Sequence, residues 1–157
     1  MLSWEDFRKE RPDLAEAGRG LFYQFSVGLA FLATVRPDGG PRLHPMCPLI
    51  TERGLYAFIV PGPKRNDLLR DGCYAMHGFP PANNEDAIYI TGRAERREDP
   101  ELWRSLTKLF FQERGTETIP PQHDEGMLFE FYIESCLLTR TTGHGDWNPQ
   151  HTVWKAI

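Results

Sequence analysis

The segment from Gly28 to Gly40 constrains the fold more than any other part of this chain. Its first eight residues, 28–35, form a nearly continuous apolar run of strand length. The turn sequence Arg-Pro-Asp-Gly-Gly follows at 36–40, and Asp-Gly supplies the positive φ angles that tight hairpins use. A strand that ends in a hairpin turn has an antiparallel neighbour, so the sequence predicts an antiparallel sheet that begins here.

Five further segments have the length and composition of strands, and turn residues bound most of them. They lie at 41–51, 55–60, 73–77, 87–97 and 127–139. Pro45 and Pro48 cannot donate to a ladder, so part of the 41–51 segment is expected at a sheet edge or a bulge. Because most links have turn length and only one long helix interrupts the strands, the pattern favours an antiparallel barrel over β-α-β units.

Helical patterns precede and interrupt the strands. Ser3 with Asp6 is typical of a helix start, and apolar residues recur on one helical face up to Phe25. A short helix is expected over 64–71 and a longer one from Pro100 onward. The sequence thus predicts a single, mainly β domain over 1–157, a six-stranded barrel with flanking helices, with these parts: a helical lead-in (1–25), the barrel (28–140) and a C-terminal tail (141–157).

Composition and charge exclude several classes of function. The net charge is −4, and no run of Lys and Arg is long enough to follow a phosphate backbone, so we expect no nucleic-acid partner. No apolar run has the length of a membrane span, and residues 1–6 lack the pattern of a signal peptide. Three widely spaced cysteines, Cys47, Cys73 and Cys136, indicate reduced thiols and a cytoplasmic location.

One set of basic residues has the chemistry of a phosphate site. Arg42 interrupts an otherwise apolar strand, and Lys64 and Arg65 stand at the start of the 64–71 helix. Pairing of the second and third strands would bring Arg42 to the helix start, where free N–H groups favour an anion. The alternative is a solvated helix face of Lys64, Arg65 and Arg70, with Asp67 and Asp71 as partners. The charge pattern alone does not distinguish the phosphate site from the solvated helix face.

The order of several motifs resembles the pyridoxamine 5'-phosphate oxidase-like split barrels, a family of flavin-binding dimers. The matching segments run in order through the middle of the chain, at 28–39, 41–45, 55–58, 63–68, 91–95 and 99–101. The strand at 127–140 is similar to the last barrel strand of the family. Each motif is weak by itself, and their order and spacing carry the resemblance.

The resemblance implies a six-stranded antiparallel split barrel that binds FMN and works as a homodimer on a small molecule. It implies that Arg42 and Lys64, with Arg65 in support, hold the flavin phosphate, and that strand segments line the ring at Leu43, His44, Pro45, Ile59 and Val60. It implies a flavin-dependent oxidoreductase, in which the cofactor transfers electrons and no catalytic side chain is identified. The C-terminal Arg and His that grip the substrate phosphate in the oxidase itself have no match at 151–157.

Several alternatives stay open at this stage. The same fold accommodates a deazaflavin coenzyme, a haem with an axial ligand such as His77 or His144, or a flavin bound without catalysis. The loop from His144 to His151 contains possible metal ligands, but Gly, Asn and Pro dominate it, and a surface or interface loop is the alternative. Trp147 and Trp154 could each fill the core, contact a second subunit or cover a cofactor.

Overall fold

The computed structural model describes the whole chain, Met1–Ile157, and is mainly β. Its eight strands are β1 (Ala30–Val35), β2 (Pro41–Met46), β3 (Leu49–Ile50), β4 (Leu55–Ile59), β5 (Cys73–Gly78), β6 (Ala87–Arg96), β7 (Met127–Arg140) and β8 (Gln150–Lys155). Its helices are α1 (Trp4–Glu10), α2 (Pro12–Phe22), α3 (Pro63–Arg70) and α4 (Pro100–Glu113), followed by a 3₁₀ helix (Pro121–Glu125). None of the helices is both long and apolar enough to cross a membrane.

The strands form one curled antiparallel sheet in the order β2-β1-β5-β6-β7-β4-β3. Its two end strands, β2 and β3, follow each other in sequence and are joined through Cys47 and Pro48. The chain itself therefore links the two ends of the sheet. Between β6 and β7 the register shifts at Gly92, where a Cβ atom would lie 1.9 Å from the carbonyl oxygen of Tyr132. Only glycine fits this bulge, which bends the sheet into a barrel.

Strand β7 is where the barrel splits. One of its edges pairs with β6 along most of its length. The other edge is divided, because residues 127–130 pair with β4 and residues 135–140 pair with β8. A 14-residue strand is long enough to serve both neighbours, and this explains why the apolar segment at 127–139 exceeds the usual strand length.

The barrel interior and the helical lead-in share one apolar core. The inward side chains of β1 and β7 lie in it together with the buried faces of α1 and α2. Trp154 of β8 packs on Phe7 of α1 at 4.9 Å between ring centroids, and its Nε1 donates to Glu10 Oε1 at 2.8 Å. A second, smaller cluster lies under α4, on the outside of the sheet, and consists of Leu49, Tyr56, Leu106 and Leu128.

Two differences from the sequence prediction concern the strand count. The expected second strand, 41–51, is divided into β2 and β3, because Pro48 cannot donate and the chain turns between Met46 and Leu49. Residues 150–155 of the expected tail form β8, the eighth strand, and Trp154 is its only buried side chain. One buried residue in six is too weak a pattern for a strand to be identified from sequence alone.

A third difference is a correction that bears on the phosphate site. The prediction that the second and third strands pair is wrong for residues 41–46, which pair with β1. Only Leu49 and Ile50 reach β4. Pairing of β2 with β4 therefore does not bring Arg42 to the start of α3.

Candidate functional site

Helix α3 begins next to the end of β4 and has an uncapped N-terminus. Gly62 occupies the N-cap position with no side chain to bond, and Pro63 follows as the first helical residue. The N–H groups of the first helical turn therefore keep their capacity to bind an anion. Lys64 and Arg65 are the next two residues, and this turn contains no acidic side chain. The helix start carries a local positive charge that nothing nearby neutralises.

A buried carboxylate, Asp67, joins α3 to the sheet. Its side chain is 2% exposed and accepts from Thr34 Oγ1 of β1 at 2.9 Å and from Arg42 Nε of β2 at 2.7 Å. Arg70 Nη1, one turn further along α3, donates to the other carboxylate oxygen at 3.2 Å. Thr34 and Arg42 are direct partners in the β1–β2 ladder. Asp67 thus holds the strand pair and the helix together.

The same hydrogen bonds keep Asp67 ionised. Burial raises the pKa of its carboxyl, but the donors Arg42, Thr34 and Arg70 together outweigh burial and hold the pKa below its ordinary value. Arg42 uses its Nε on Asp67, and its two terminal nitrogens make no hydrogen bond within the chain. A partly exposed guanidinium held at Nε presents its outer edge to a ligand.

Lys64 and Arg65 differ from Arg70 in having no carboxylate partner. Burial lowers the pKa of the half-buried Lys64 amine, and the nearby Cys47 thiol opposes this only in part. Arg65 donates from Nη1 to the carbonyl oxygen of Glu125 at 2.9 Å, while its Nε is buried without a partner. The hypothesis of a solvated helix face paired with Asp67 and Asp71 therefore describes Arg70 but not Lys64 or Arg65.

His44 contributes a second unpartnered polar atom. It shares the inward face of β2 with Arg42, two residues away, and its Nε2 is buried without a hydrogen-bond partner. Buried polar nitrogens nearly always have a partner in folded proteins. Two of them, His44 Nε2 and Arg65 Nε, belong to residues predicted for cofactor binding, which is the pattern expected where a ligand completes the hydrogen bonds.

The other predicted site residues occupy the same two strands. Leu43 and Pro45 lie on the exposed face of β2, whose outer edge pairs with no strand. Ile59, the last residue of β4, has its side chain in the core, so that only its backbone is available to a ligand. Val60 follows it and is exposed.

An apolar row crosses the outer face of the sheet from β2 to β8. Cross-strand register places its members side by side, and we call them the outer row: Pro45, Phe31, His77, Tyr89, Leu137 and Val153. All six are partly or fully exposed, and Phe31 stacks on Phe79 with 4.4 Å between ring centroids. No helix of the chain covers this row.

The remaining candidates lie apart from α3. His77 belongs to the outer row, with Nδ1 against the carbonyl oxygen of Gly78. His144 contacts the carbonyl oxygen of Ala82, and His151 contacts the Thr139 hydroxyl, so the two ends of the 144–151 loop face different partners. No group of three or more potential metal ligands occurs in the chain. Trp147 is 101% exposed, whereas Trp154 belongs to the core.

Sequence reasoning missed the role of Asp67 and Thr34. Asp67 was identified only as a partner of cations on its own helix, and Thr34 was read as part of an apolar strand. A signal was available in retrospect, because a hydroxyl inside an apolar run and an arginine opposite it in a hairpin both require a polar partner. The carboxylate that satisfies them is 25 residues beyond Arg42 in sequence.

Solved structures resemble this chain in fold, whereas no family model and no curated protein matches its sequence. A candidate pyridoxamine 5'-phosphate oxidase from Listeria innocua superimposes with a TM-score of 0.62 at 17% identity, covering 78% of this chain and 95% of that one. An F420 reductase gives a TM-score of 0.59 at 20% identity, with 74% and 94% covered. A haem-binding protein from Mycobacterium smegmatis gives 0.61 at 15% identity, with 87% and 57% covered.

Proposed function

The chain has the fold of the pyridoxamine 5'-phosphate oxidase-like split barrels, and on that premise we propose that it binds FMN and acts as a flavin-dependent oxidoreductase on a small molecule. One observation carries the proposal. The uncapped start of α3 is flanked by Lys64 and Arg65, two cations without carboxylate partners. A phosphate group would accept from the free N–H groups of the first helical turn and neutralise both cations at once.

The proposed site residues form two groups, one that would bind the phosphate of FMN and one that would line its flavin ring. Lys64, Arg65 and the terminal nitrogens of Arg42 would neutralise the phosphate, with the first N–H groups of α3 as further donors. The free edge of β2 near His44 and the exposed Val60 would line the flat ring. FMN supplies the electron-transfer chemistry when bound, and the protein supplies binding, orientation and electrostatics.

We include a homodimer in the proposal because the outer row is unpartnered within the chain. Contiguous apolar side chains on a sheet face are costly to leave in water, and a second copy would cover them with the same row in an isologous contact. Pro45 belongs both to the outer row and to the proposed ring site. Dimer formation would therefore bring the second copy close to the ring.

The three free cysteines support a cytoplasmic location.

Titration of the purified protein with FMN tests the cofactor. We expect saturable binding, seen as quenched flavin fluorescence and shifted absorption bands in the blue and near ultraviolet. Parallel titrations use F420 and haem, because proteins of similar fold are described as an F420 reductase and a haem-binding protein. Uptake of haem with a Soret band and no uptake of FMN would contradict the proposal, as would tight binding of F420 alone. FMN uptake without electron transfer from any donor, nicotinamides included, would contradict the oxidoreductase part of the proposal.

Light scattering of the purified protein tests the homodimer. We expect a mass near twice the chain mass of 18.1 kDa at micromolar concentration. Tyr89→Arg places a charge in the middle of the outer row and is expected to shift the mass to that of a single chain. Phe25→Arg is the control, because Phe25 is also an exposed aromatic residue but lies outside the row. A wild-type mass of one chain, or a Tyr89→Arg variant that stays dimeric, would refute a dimer through this face.

A further inference from the structure

A groove runs along one side of α4. Its volume is about 590 Å³, within the range of small-molecule sites. Trp103 and Phe111 of α4 supply its apolar surface together with Ile119 from the segment that follows the helix. We call this cavity the α4 groove. None of the residues proposed for FMN binding lines it.

The floor of the α4 groove is well packed, and its polar side chains are hydrogen-bonded to each other. Thr107, which is buried, has its hydroxyl 2.9 Å from Nε2 of His123 in the 3₁₀ helix. Phe58, Trp103 and Phe111 surround the imidazole at centroid distances of 4.5 to 5.1 Å. Burial lowers the pKa of His123, so the ring is neutral at neutral pH. The groove is therefore preformed, and its floor does not demand a charged ligand group.

The rim of the groove is different, because it carries two cations without partners. Arg104 and Lys108 stand four residues apart on α4, one turn from each other, and both are exposed. Like the exposed Arg8 and Arg53, neither forms an ion pair or a side-chain hydrogen bond within the chain. Two like charges at this spacing repel each other. Glu117 is the one acidic residue that lines the groove.

We propose that the α4 groove is a second ligand site, which binds an amphipathic organic anion. The ligand class is an aromatic or branched aliphatic group that carries a single carboxylate or sulfonate. The apolar part packs between Trp103 and Ile119, and the acidic group lies between Arg104 and Lys108, where it relieves their repulsion. A neutral apolar molecule gains only the first of these contacts, and a free phosphate gains only the second. The site is therefore selective for molecules that combine both features.

Fluorescence titration with two matched probes tests this proposal. The first, 8-anilinonaphthalene-1-sulfonate, has the proposed features, and the second, N-phenyl-1-naphthylamine, is the same ring system without the sulfonate. The titrations use full-length protein with excess FMN, so that the cofactor site does not contribute. We expect the double variant Arg104→Ala, Lys108→Ala to bind the sulfonate about tenfold more weakly and the neutral amine with unchanged affinity. The double variant Lys9→Ala, Arg36→Ala removes the same charge elsewhere and should behave as wild type.

Ile119→Asp provides an independent check on the apolar wall. Ile119 is exposed, so this change does not disturb the core, and it should weaken both probes. Unchanged sulfonate affinity in the Arg104, Lys108 variant would overturn the proposal. So would equal loss of both probes in that variant, or displacement of the sulfonate by FMN. A bound fraction that falls as protein concentration rises would mean that a second copy covers the groove, and would also overturn it.

Discussion

Replacing Lys64 with alanine should weaken FMN binding about 10- to 100-fold and leave riboflavin binding unchanged. A charge-assisted hydrogen bond is worth about 1.5 to 3 kcal/mol, which corresponds to this range of affinity. Riboflavin has the ring but lacks the phosphate, so it does not use the ammonium group. Isothermal titration or flavin fluorescence quenching measures both affinities. Because Lys64 makes no ion pair in the protein, its loss should leave the free energy of unfolding of the apo form nearly unchanged.

The control for this experiment is Lys9→Ala. Lys9 is an exposed lysine on α1 whose only partners are Glu5 and Asp6. Its removal changes the net charge by the same amount and should leave FMN affinity within a factor of two. If Lys64→Ala weakens FMN and riboflavin equally, the lysine supports the ring or the barrel. If neither affinity changes, Lys64 is a solvated surface residue, and the phosphate lies elsewhere.

Arg42→Ala should also weaken FMN binding by one to two orders of magnitude, but it is a less selective variant. The sequence assigns Arg42 to the phosphate and names no partner for it within the chain. The structure shows such a partner, because Arg42 Nε donates to the buried Asp67. Removing it leaves a buried carboxylate with fewer donors, and this destabilises the fold. Arg70 donates to the same carboxylate and would not be a neutral control, so Lys9→Ala serves as the control here as well.

Asp67→Asn should lower the free energy of unfolding by about 3 kcal/mol, the upper end of the range for a hydrogen bond to a charged group. Asn preserves the shape of the side chain but removes the negative charge of the carboxylate, whose oxygens accept hydrogen bonds from Thr34, Arg42 and Arg70. The amide nitrogen of Asn is itself a donor, so it would face the donor groups of these partners without forming a hydrogen bond. FMN affinity should fall as well, because Arg42 loses the contact that orients it. Urea denaturation of the apo protein measures the first effect, and FMN titration measures the second.

The pH dependence of this effect has a defined sign. The folded-state pKa of Asp67 is lowered, so the ionised carboxylate contributes stability above its unfolded pKa of about 4. That contribution is lost as pH falls below about 4 and through the lower, folded pKa. The difference in unfolding free energy between wild type and Asp67→Asn should therefore be largest near neutral pH and shrink in acid. A difference that stays constant from pH 7 to pH 3 would show that the carboxylate charge is not responsible.

Asp71→Asn is the matched control for Asp67→Asn. Asp71 ends the same helix, but it is more exposed and accepts only from the backbone N–H of Cys73. Its replacement should cost less than 1 kcal/mol, as for most exposed polar changes. Equal losses in the two variants would mean that the effect comes from α3 as a whole and not from the contact with Thr34 and Arg42.

Most secondary structure was predictable from the sequence because its signals are local. The Asp38-Gly39 hairpin, the helix start at Ser3 and the helix from Pro100 all occur as expected, since each depends on residues a few positions apart. The prediction of α3 over 64–71 agrees with Pro63–Arg70 to within one residue, and Gly72 takes a positive φ angle just after it. Strand β8 was missed because five of its six side chains are exposed.

The candidate site was predictable only as a set of residue types. A helix start with adjacent cations and an arginine in an apolar strand both indicate a phosphate, and the resemblance to a flavin-binding family added the strand residues. The expected route from Arg42 to α3, through pairing of the second and third strands, was wrong. Strand β4 pairs instead with β7, far later in the chain, and local pattern does not encode a pairing over so long a sequence separation.

By itself, the sequence determined an antiparallel barrel, its turns, its helix starts and the basic residues from which a phosphate site could be built. These features follow from backbone preferences and short-range periodicity, which act within one turn or one hairpin. Only the tertiary structure decided that Asp67 joins β1, β2 and α3, that Lys64 and Arg65 lack carboxylate partners, and that the outer row is unpartnered within the chain. Each of these depends on contacts between residues far apart in sequence. Whether a charge is paired or free is a property of such contacts and not of composition.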